Sequence, residues 1–171
     1  MDEKEKRQRR CCFTGHRPEK LLVTEQELRA KLKAAIKEAI PDGYCTFISG
    51  MSRGTDLWAS DVVLQLKSHY PHIHLICAVP YPDFEKSWDE HWQILYHNIL
   101  SRADLVRIIS SHYHDGCYQK RNCWMVDHSS RVIAVYNGSS GGTQNTIRYA
   151  QKCAVSIVMC YPWDQYRTVR S

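Results

Sequence analysis

CTFISGMSRGTDLWASDVVLQL, residues 45–66, decides the fold. Its first six residues are a short apolar run of strand type that closes on Gly50. A polar turn follows, Ser49-Gly50-Met51-Ser52-Arg53-Gly54-Thr55-Asp56. Behind it Ala59, Val62, Val63 and Leu66 recur at i, i+3, i+4 and i+7, which predicts a helix starting near Thr55. A strand that passes through a glycine turn into such a helix is half of a βαβ unit.

The same alternation runs outward in both directions. Upstream, RCCFTG (10–15) reads as a strand ending in glycine. Thr24 and Glu27 then form a capping box, and Leu28, Leu32, Ala35, Ile36 and Ala39 make one helical stripe. Pro41-Asp42-Gly43 stops it. Downstream, HLICAVP (74–80), DLVRIIS (104–110), RVIAVYNG (131–138) and AVSIVMC (154–160) read as strands. Between them lie helical segments at 85–102, with Trp88, Trp92, Leu95 and Ile99 on one face, at 117–129, and at Thr143–Lys152. The continuous apolar runs suit strands covered on both sides. The expectation is an α/β protein: a Rossmann-like open sheet of about six mainly parallel strands with helices on both faces.

Composition narrows the function classes. The chain has 171 residues, which suits one domain, here 11–160, between a charged, solvated tail at 1–10 and a C-terminal tail at 161–171. Hydrophobic residues are 43% and charged residues 24%, so a disordered or low-complexity chain is excluded. No apolar run reaches the ~20 residues that span a bilayer, and no apolar stretch follows the charged N-terminus as in a secretory signal. A cytoplasmic protein without membrane partners is expected. Net charge is +5, but residues 1–10 hold five basic and three acidic groups, so little excess is left for a duplex-binding surface.

Eight cysteines include no C-x-x-C pair. Cys11, Cys12, Cys45, Cys77 and Cys160 lie in strand-like runs, where Cys acts as a small buried hydrophobe. His112, His114, Cys117, Cys123 and His128 cluster locally, yet their spacing matches no standard zinc module, and no metal is assigned. Neither a G-x-G-x-x-G nor a Walker motif is present, and no cofactor is assigned.

In open parallel sheets, ligands bind beyond the carboxyl ends of the strands. The strand-to-helix turns there carry Thr14-Gly15-His16-Arg17-Pro18, the Ser49–Asp56 turn, Pro80–Lys86, and Asn137-Gly138-Ser139-Ser140-Gly141-Gly142-Thr143. Glycines let a backbone approach an anion, and a helix N-terminus favours negative charge by ~0.3–1 kcal/mol. Gly141, Gly142 and Thr143 are thus the leading phosphate candidates. Gly15, Gly50 and Gly54 would let the backbone close in, Ser49 is a further candidate in the same turn, and His16, Arg17 and Arg53 would supply positive charge. Each has a plainer use: Gly-Gly-Thr as tight turn and N-cap, Arg53 as partner of a neighbouring carboxylate, Asp56 as complement to a helix dipole.

Five motifs occur in order: T-G-H-R-P (14–18), S-G-M-S-R-G-T-D-L-W (49–58), P-Y-P-x-x-E-K-x-W (80–88), Y-Q-K-R-N-x-W-M-V-D (118–127) and G-G-T-x-N-T-I-R-Y-A (141–150). Together they resemble the YpsA-like family of small bacterial proteins in the SLOG superfamily, over roughly residues 11–160. That superfamily includes the DNA-processing protein DprA/Smf and the LOG phosphoribohydrolases. The Ser49–Asp56 turn is similar to the S-G-x-A-R-G-x-D segment of DprA proteins, which bind single-stranded DNA; the resemblance implies phosphate contact by Gly50, Arg53 and Gly54. LOG enzymes carry P-G-G-x-G-T-x-x-E, whose glutamate serves N-glycosidic cleavage. Setting Gly142-Thr143 on that motif places Thr146 at the glutamate, and threonine is no acid or base near neutral pH. Glu85 or Asp56 would have to act instead. In the fourth motif Arg121 is a candidate for a phosphate and Asn122 for a base or sugar; the alternative is that both cap the helix or face water.

The expectation is therefore binding or sensing of a nucleotide or nucleotide-derived phosphorylated small molecule. N-glycosidase action on nucleoside monophosphates is one alternative. Single-stranded DNA binding is another, and the weaker for want of concentrated basic charge. A homodimer is expected only by analogy with superfamily relatives.

Overall fold

The computed structural model describes residues 1–161; of the C-terminal tail expected at 161–171, all but Tyr161 lies outside them. Six strands form a single sheet: β1 (Arg10–Gly15), β2 (Thr46–Ser49), β3 (His74–Val79), β4 (Leu105–Ile108), β5 (Arg131–Val135) and β6 (Ser156–Tyr161). All neighbouring pairs are parallel, in the order β4-β3-β2-β1-β5-β6. The helices are α1 (Glu3–Gln8), α2 (Glu25–Ala39), α3 (Thr55–Leu66), α4 (Glu90–Arg102), α5 (Cys117–Asp127) and α6 (Gly142–Lys152).

The alternating side chains of the strands divide the interior in two. Cys11, Phe13, Phe47, Leu75, Cys77, Ile133 and Val135 point to one side and pack on α2, α3 and α4. Cys12, Ile48, Ile76, Ala78, Val132 and Ala134 point to the other and meet Met125 and Val126 of α5 and Ile147 and Ala150 of α6. This is what right-handed crossovers require: outward steps from β1 to β4 put their helices on one face, and steps in the opposite direction use the other.

Order reverses between β1 and β5. From β1 the chain winds outward to β4, returns through α5 and resumes on the far side of β1. The carboxyl ends of β1 and β5 therefore flank the switch point, where neighbouring loops diverge and leave a crevice.

Local signals were legible with two differences. Thr24 accepts from the Glu27 N–H at 3.1 Å and Glu27 reaches back to the Thr24 N–H at 3.0 Å, so the capping box is formed. The charged segment 1–10 is ordered at α1, which has its own capping box between Asp2 and Glu5. The helix expected over 85–102 begins only at Glu90. Residues 81–87 form turns instead, because Pro82 disfavours the helical conformation of Tyr81 and Asp83 takes the left-handed conformation at φ 65°. Phe84 packs edge-on against Trp88 and Tyr96, which holds this loop on α4. Trp92 is core and lies 5.6 Å from Trp58.

Candidate functional site

Three loops meet at the switch point and are stitched together by hydrogen bonds. The His16 carbonyl, just past β1, accepts from Thr55 Oγ1 at 3.0 Å at the start of α3. His16 Nε2 accepts from the backbone N–H of Asn137, just past β5, at 3.0 Å. Asn137 Nδ2 donates to the Lys20 carbonyl at 3.0 Å. Two glycines make this closeness feasible. A Cβ on Gly15 would lie 2.3 Å from Thr55 Cγ2. Gly54 caps α3 at φ 84°, where a Cβ would also lie 2.8 Å from Pro18 Cδ.

The cleft bounded by these loops has a volume of about 410 Å³. Of the residues singled out in the sequence, Gly15, His16, Arg17, Asp56, Arg121, Asn122, Gly142 and Thr143 line it. Arg53 does not: it faces an adjoining cavity of about 320 Å³, and its Nη1 donates to Glu19 at 2.6 Å. Ser49, Gly50 and Gly54 stand behind the wall. Ser49 Oγ donates to the Asp56 carbonyl at 3.1 Å and accepts from the Met51 N–H at 3.2 Å, which secures the turn around Met51, a left-handed residue at φ 63°. Gly141 caps α6 at φ 141°. Glu85 lines neither cavity; it is 5% exposed and its Oε1 lies 3.4 Å from His97 Nε2 on α4. Glu85 is thus buried, in the loop before the helix rather than at its start. Thr146 is buried, and its Oγ1 donates to the Gly142 carbonyl at 2.9 Å. The His/Cys segment disperses: His114 contacts Ser110, His128 stacks on Trp124, and Cys117 is buried.

Electrostatics centre on Asp56 and Arg121, which are 7% and 5% exposed. Asp56 Oδ2 accepts from the Ser52 N–H at 3.2 Å, while its buried Oδ1 has no partner among the described residues. Burial pushes its carboxyl up to about 6, against the opposing pull of Arg121, the Ser52 N–H and Arg17. Arg121 donates to the Gly50 carbonyl through Nη1, to Asn122 Oδ1 through Nε at 2.9 Å, and to Ser52 Oγ through Nη2 at 3.5 Å. Burial lowers its pKa, opposed chiefly by Asp56. The cleft floor is thus a desolvated cation and a desolvated carboxyl, both with hydrogen-bonding capacity to spare.

His16 is buried, and its pKa falls below the ordinary value through burial and the nearby Lys20 ammonium. Because Nε2 accepts from Asn137, the proton of the neutral ring sits on Nδ1. Nitrogen NMR is expected to show His16 as the Nδ1–H tautomer at pH 7, converting to imidazolium only below pH ~6.5, the ordinary histidine value. A charged ring at pH 7 would contradict this bond.

Lys20 is a cleft residue that sequence reading does not single out. A Cβ on Gly141 would lie 3.5 Å from its Nζ, so the ammonium stands at the head of α6. The first internal bond of α6 runs from the Asn145 N–H to the Gly141 carbonyl, leaving the N–H groups of Gly142, Thr143 and Gln144 without helical partners. Lys20 makes no ion pair among the described residues. Its signal was present in the run His16-Arg17-Pro18-Glu19-Lys20, but only the turn at Pro18–Lys20 shows that the side chain comes back to the cleft. Phe13, Thr14, Glu19, Ser52, Tyr118 and Met125 complete the wall.

Comparison with known proteins agrees with the architecture. SPbeta prophage-derived protein YoqJ of Bacillus subtilis is 34% identical over 142 residues, covering 75% of this chain and 83% of that protein. The UPF0398 protein of Bacillus pumilus is 25% identical over 163 residues, covering 90% and 88%. Among solved structures, DNA processing protein A from Helicobacter pylori, described for its single-stranded DNA binding mode, superposes with a TM-score of 0.62 at 18% identity. It covers 91% of this chain and 66% of that one, so the chain spans about two thirds of that protein's length and shares its fold. No helix among the described residues is long and apolar enough to cross a membrane. The YpsA model, that of the YspA SLOG family, matches residues 11–159, and the chain belongs to that family.

Proposed function

We propose that this chain binds a nucleotide or nucleotide-derived phosphorylated small molecule in the cleft at the switch point, in the cytoplasm. The observation that carries the reading is the convergence of Lys20 with the N-terminus of α6 in a cleft that the buried Asp56 and Arg121 also line. A cation beside the positive end of a helix, with no carboxylate on it, favours an anion between them. The free N–H groups of Gly142, Thr143 and Gln144 would satisfy phosphate oxygens. Asp56 Oδ1, buried and unpartnered, calls for an N–H or O–H donor on the ligand, which a sugar hydroxyl or an exocyclic amine provides. A phosphate alone would leave that oxygen unserved.

A thermal-shift screen against nucleoside mono-, di- and triphosphates, nucleotide sugars and cyclic nucleotides tests this. A ligand at 100 Kd is expected to stabilise the fold by ~2.7 kcal/mol. Lys20→Ala is expected to weaken the best ligand by about tenfold, the size of one charge-assisted contact, while leaving the unliganded melting temperature unchanged. Silence across the panel, or a hit indifferent to Lys20→Ala, would remove the reading.

Asp56 also favours a second reading, N-glycosidic hydrolysis. Its carboxyl, pushed up to about 6, suits general acid or base work, whereas Thr146 is tied to its own helix and Glu85 faces α4. Release of ribose 5-phosphate from any nucleotide that binds would establish it. For single-stranded DNA, the support is the fold shared with the Helicobacter protein.

A further inference from the structure

The smaller cavity adjoins the cleft through a common wall of Arg17, Ser52 and Tyr118. Its chemistry differs from that of the cleft floor. Two guanidinium groups, Arg17 and Arg53, enter it from the loops after β1 and β2. Arg17 has no ion-pair partner among the described residues. Arg53 gives one nitrogen to Glu19, which leaves donors for the cavity. The opposite side supplies the Ser87 hydroxyl and the linked phenols of Tyr81 and Tyr118, whose oxygens are 3.1 Å apart. One carboxylate, Asp89, also belongs to the wall; it is exposed and caps α4 without a side-chain bond. Arg17 is left without a carboxylate partner among the described residues, Arg53 keeps donors beyond its bond to Glu19, and Asp89 is solvated, so these guanidinium and hydroxyl donors favour an anion there.

Positive charge thus occurs in both parts of the combined space: Lys20 with α6 in the cleft, Arg53 in the smaller cavity, with Arg17 on the wall they share. Asp56 stands beside the junction, since it is bonded to the Ser52 N–H. An anion is disfavoured next to that carboxylate, and a hydroxyl- or amine-bearing group is favoured. Resting on the reading above, we infer that the ligand carries two separate phosphate groups with a nucleoside between them, and that the smaller cavity holds the second phosphate. A free nucleoside 3′,5′-bisphosphate has this chemistry, and so does a phosphodiester strand; the chain's modest net charge of +5, part of it held by residues 1–10, favours the free small molecule.

Calorimetric titration of the whole chain with a nucleoside 5′-monophosphate, its 3′,5′-bisphosphate and a single-stranded oligonucleotide of about ten residues tests this. The bisphosphate is expected to bind at least about tenfold more tightly than the monophosphate, as one further guanidinium–phosphate contact supports. Ser87→Glu, at an exposed position confined to the smaller cavity, is expected to erase that gain and leave monophosphate affinity unchanged. Arg53→Gln provides an independent variant with the same expected pattern. Equal affinity for mono- and bisphosphate, or a gain that survives both variants, would overturn the inference while the cleft reading stands. An oligonucleotide that outcompetes the bisphosphate would assign the two subsites to a strand instead. If neither nucleotide binds, the cleft reading itself fails.

Discussion

Asp56→Asn is expected to stabilise the protein by about 2–3 kcal/mol at pH 7.5, although Asp56 lies in the centre of the candidate site. The carboxyl is raised by burial from 3.8 to about 6. Between those values the folded chain holds a proton that the unfolded chain has released. Stability linked to this group is therefore fully present below pH 3.8 and lost as pH rises through 6. Above that, folding buries an ionised carboxylate whose Oδ1 has no donor. Asparagine has the same shape, can still accept from the Ser52 N–H, and carries no charge. Urea titrations of both proteins across pH 4.5–8 should show the advantage of the variant narrowing as the pH falls through 6. A constant difference, or a loss of stability at neutral pH, would mean that Asp56 is well solvated or fully paired. The same substitution should weaken ligand binding, because the amide presents a donor where the ligand's own donor is accepted. Gain in stability with loss of binding is the pattern of a group retained for function.

How far the sequence disclosed this depends on the range of the forces involved. The strands, the capping box at Thr24 and the amphipathic stripe of α2 rest on contacts within a few residues, and they were legible. The parallel sheet followed from alternation of these units. What failed was decided across the sheet. Residues 85–89 have a helical pattern, but Pro82, Asp83 and the Phe84–Trp88–Tyr96 cluster hold them as a loop. Gly50 and Gly54, expected at ligand contacts, have structural uses that only the fold discloses: Gly54 makes room for the His16–Pro18 segment, and Gly50 offers its carbonyl to Arg121, 71 residues away. Lys20 was overlooked because its route back to α6 depends on a 3-10 turn and on Asn137 across the switch point. Glycine turns marked the right edge of the sheet, but side-chain roles there were set by partners distant in sequence.

Arg121→Ala is expected to move stability in the direction opposite to Asp56→Asn, by about 1–3 kcal/mol at pH 7.5. The two members of the pair are not equivalent. Arg121 is held on three sides, by the Gly50 carbonyl, Asn122 Oδ1 and Ser52 Oγ, so its charge retains partners when Asp56 is neutralised. Asp56 has only the Ser52 N–H, and Arg121 is the largest opposing influence on its raised pKa. Truncating Arg121 leaves the carboxylate nearly alone and orphans the Gly50 carbonyl as well. Two consequences separate this from simple loss of packing. The cost should shrink towards pH 5, where Asp56 is protonated in the folded state. It should also be smaller in the Asp56→Asn background, giving a coupling of at least about 1 kcal/mol in a double-mutant cycle at neutral pH. A pH-independent cost that adds within about 0.5 kcal/mol would show that Arg121 acts only through the Gly50 turn. Coupling that disappears with protonation of Asp56 would instead mean that Asp56 and Arg121 act as one electrostatic unit in the cleft floor.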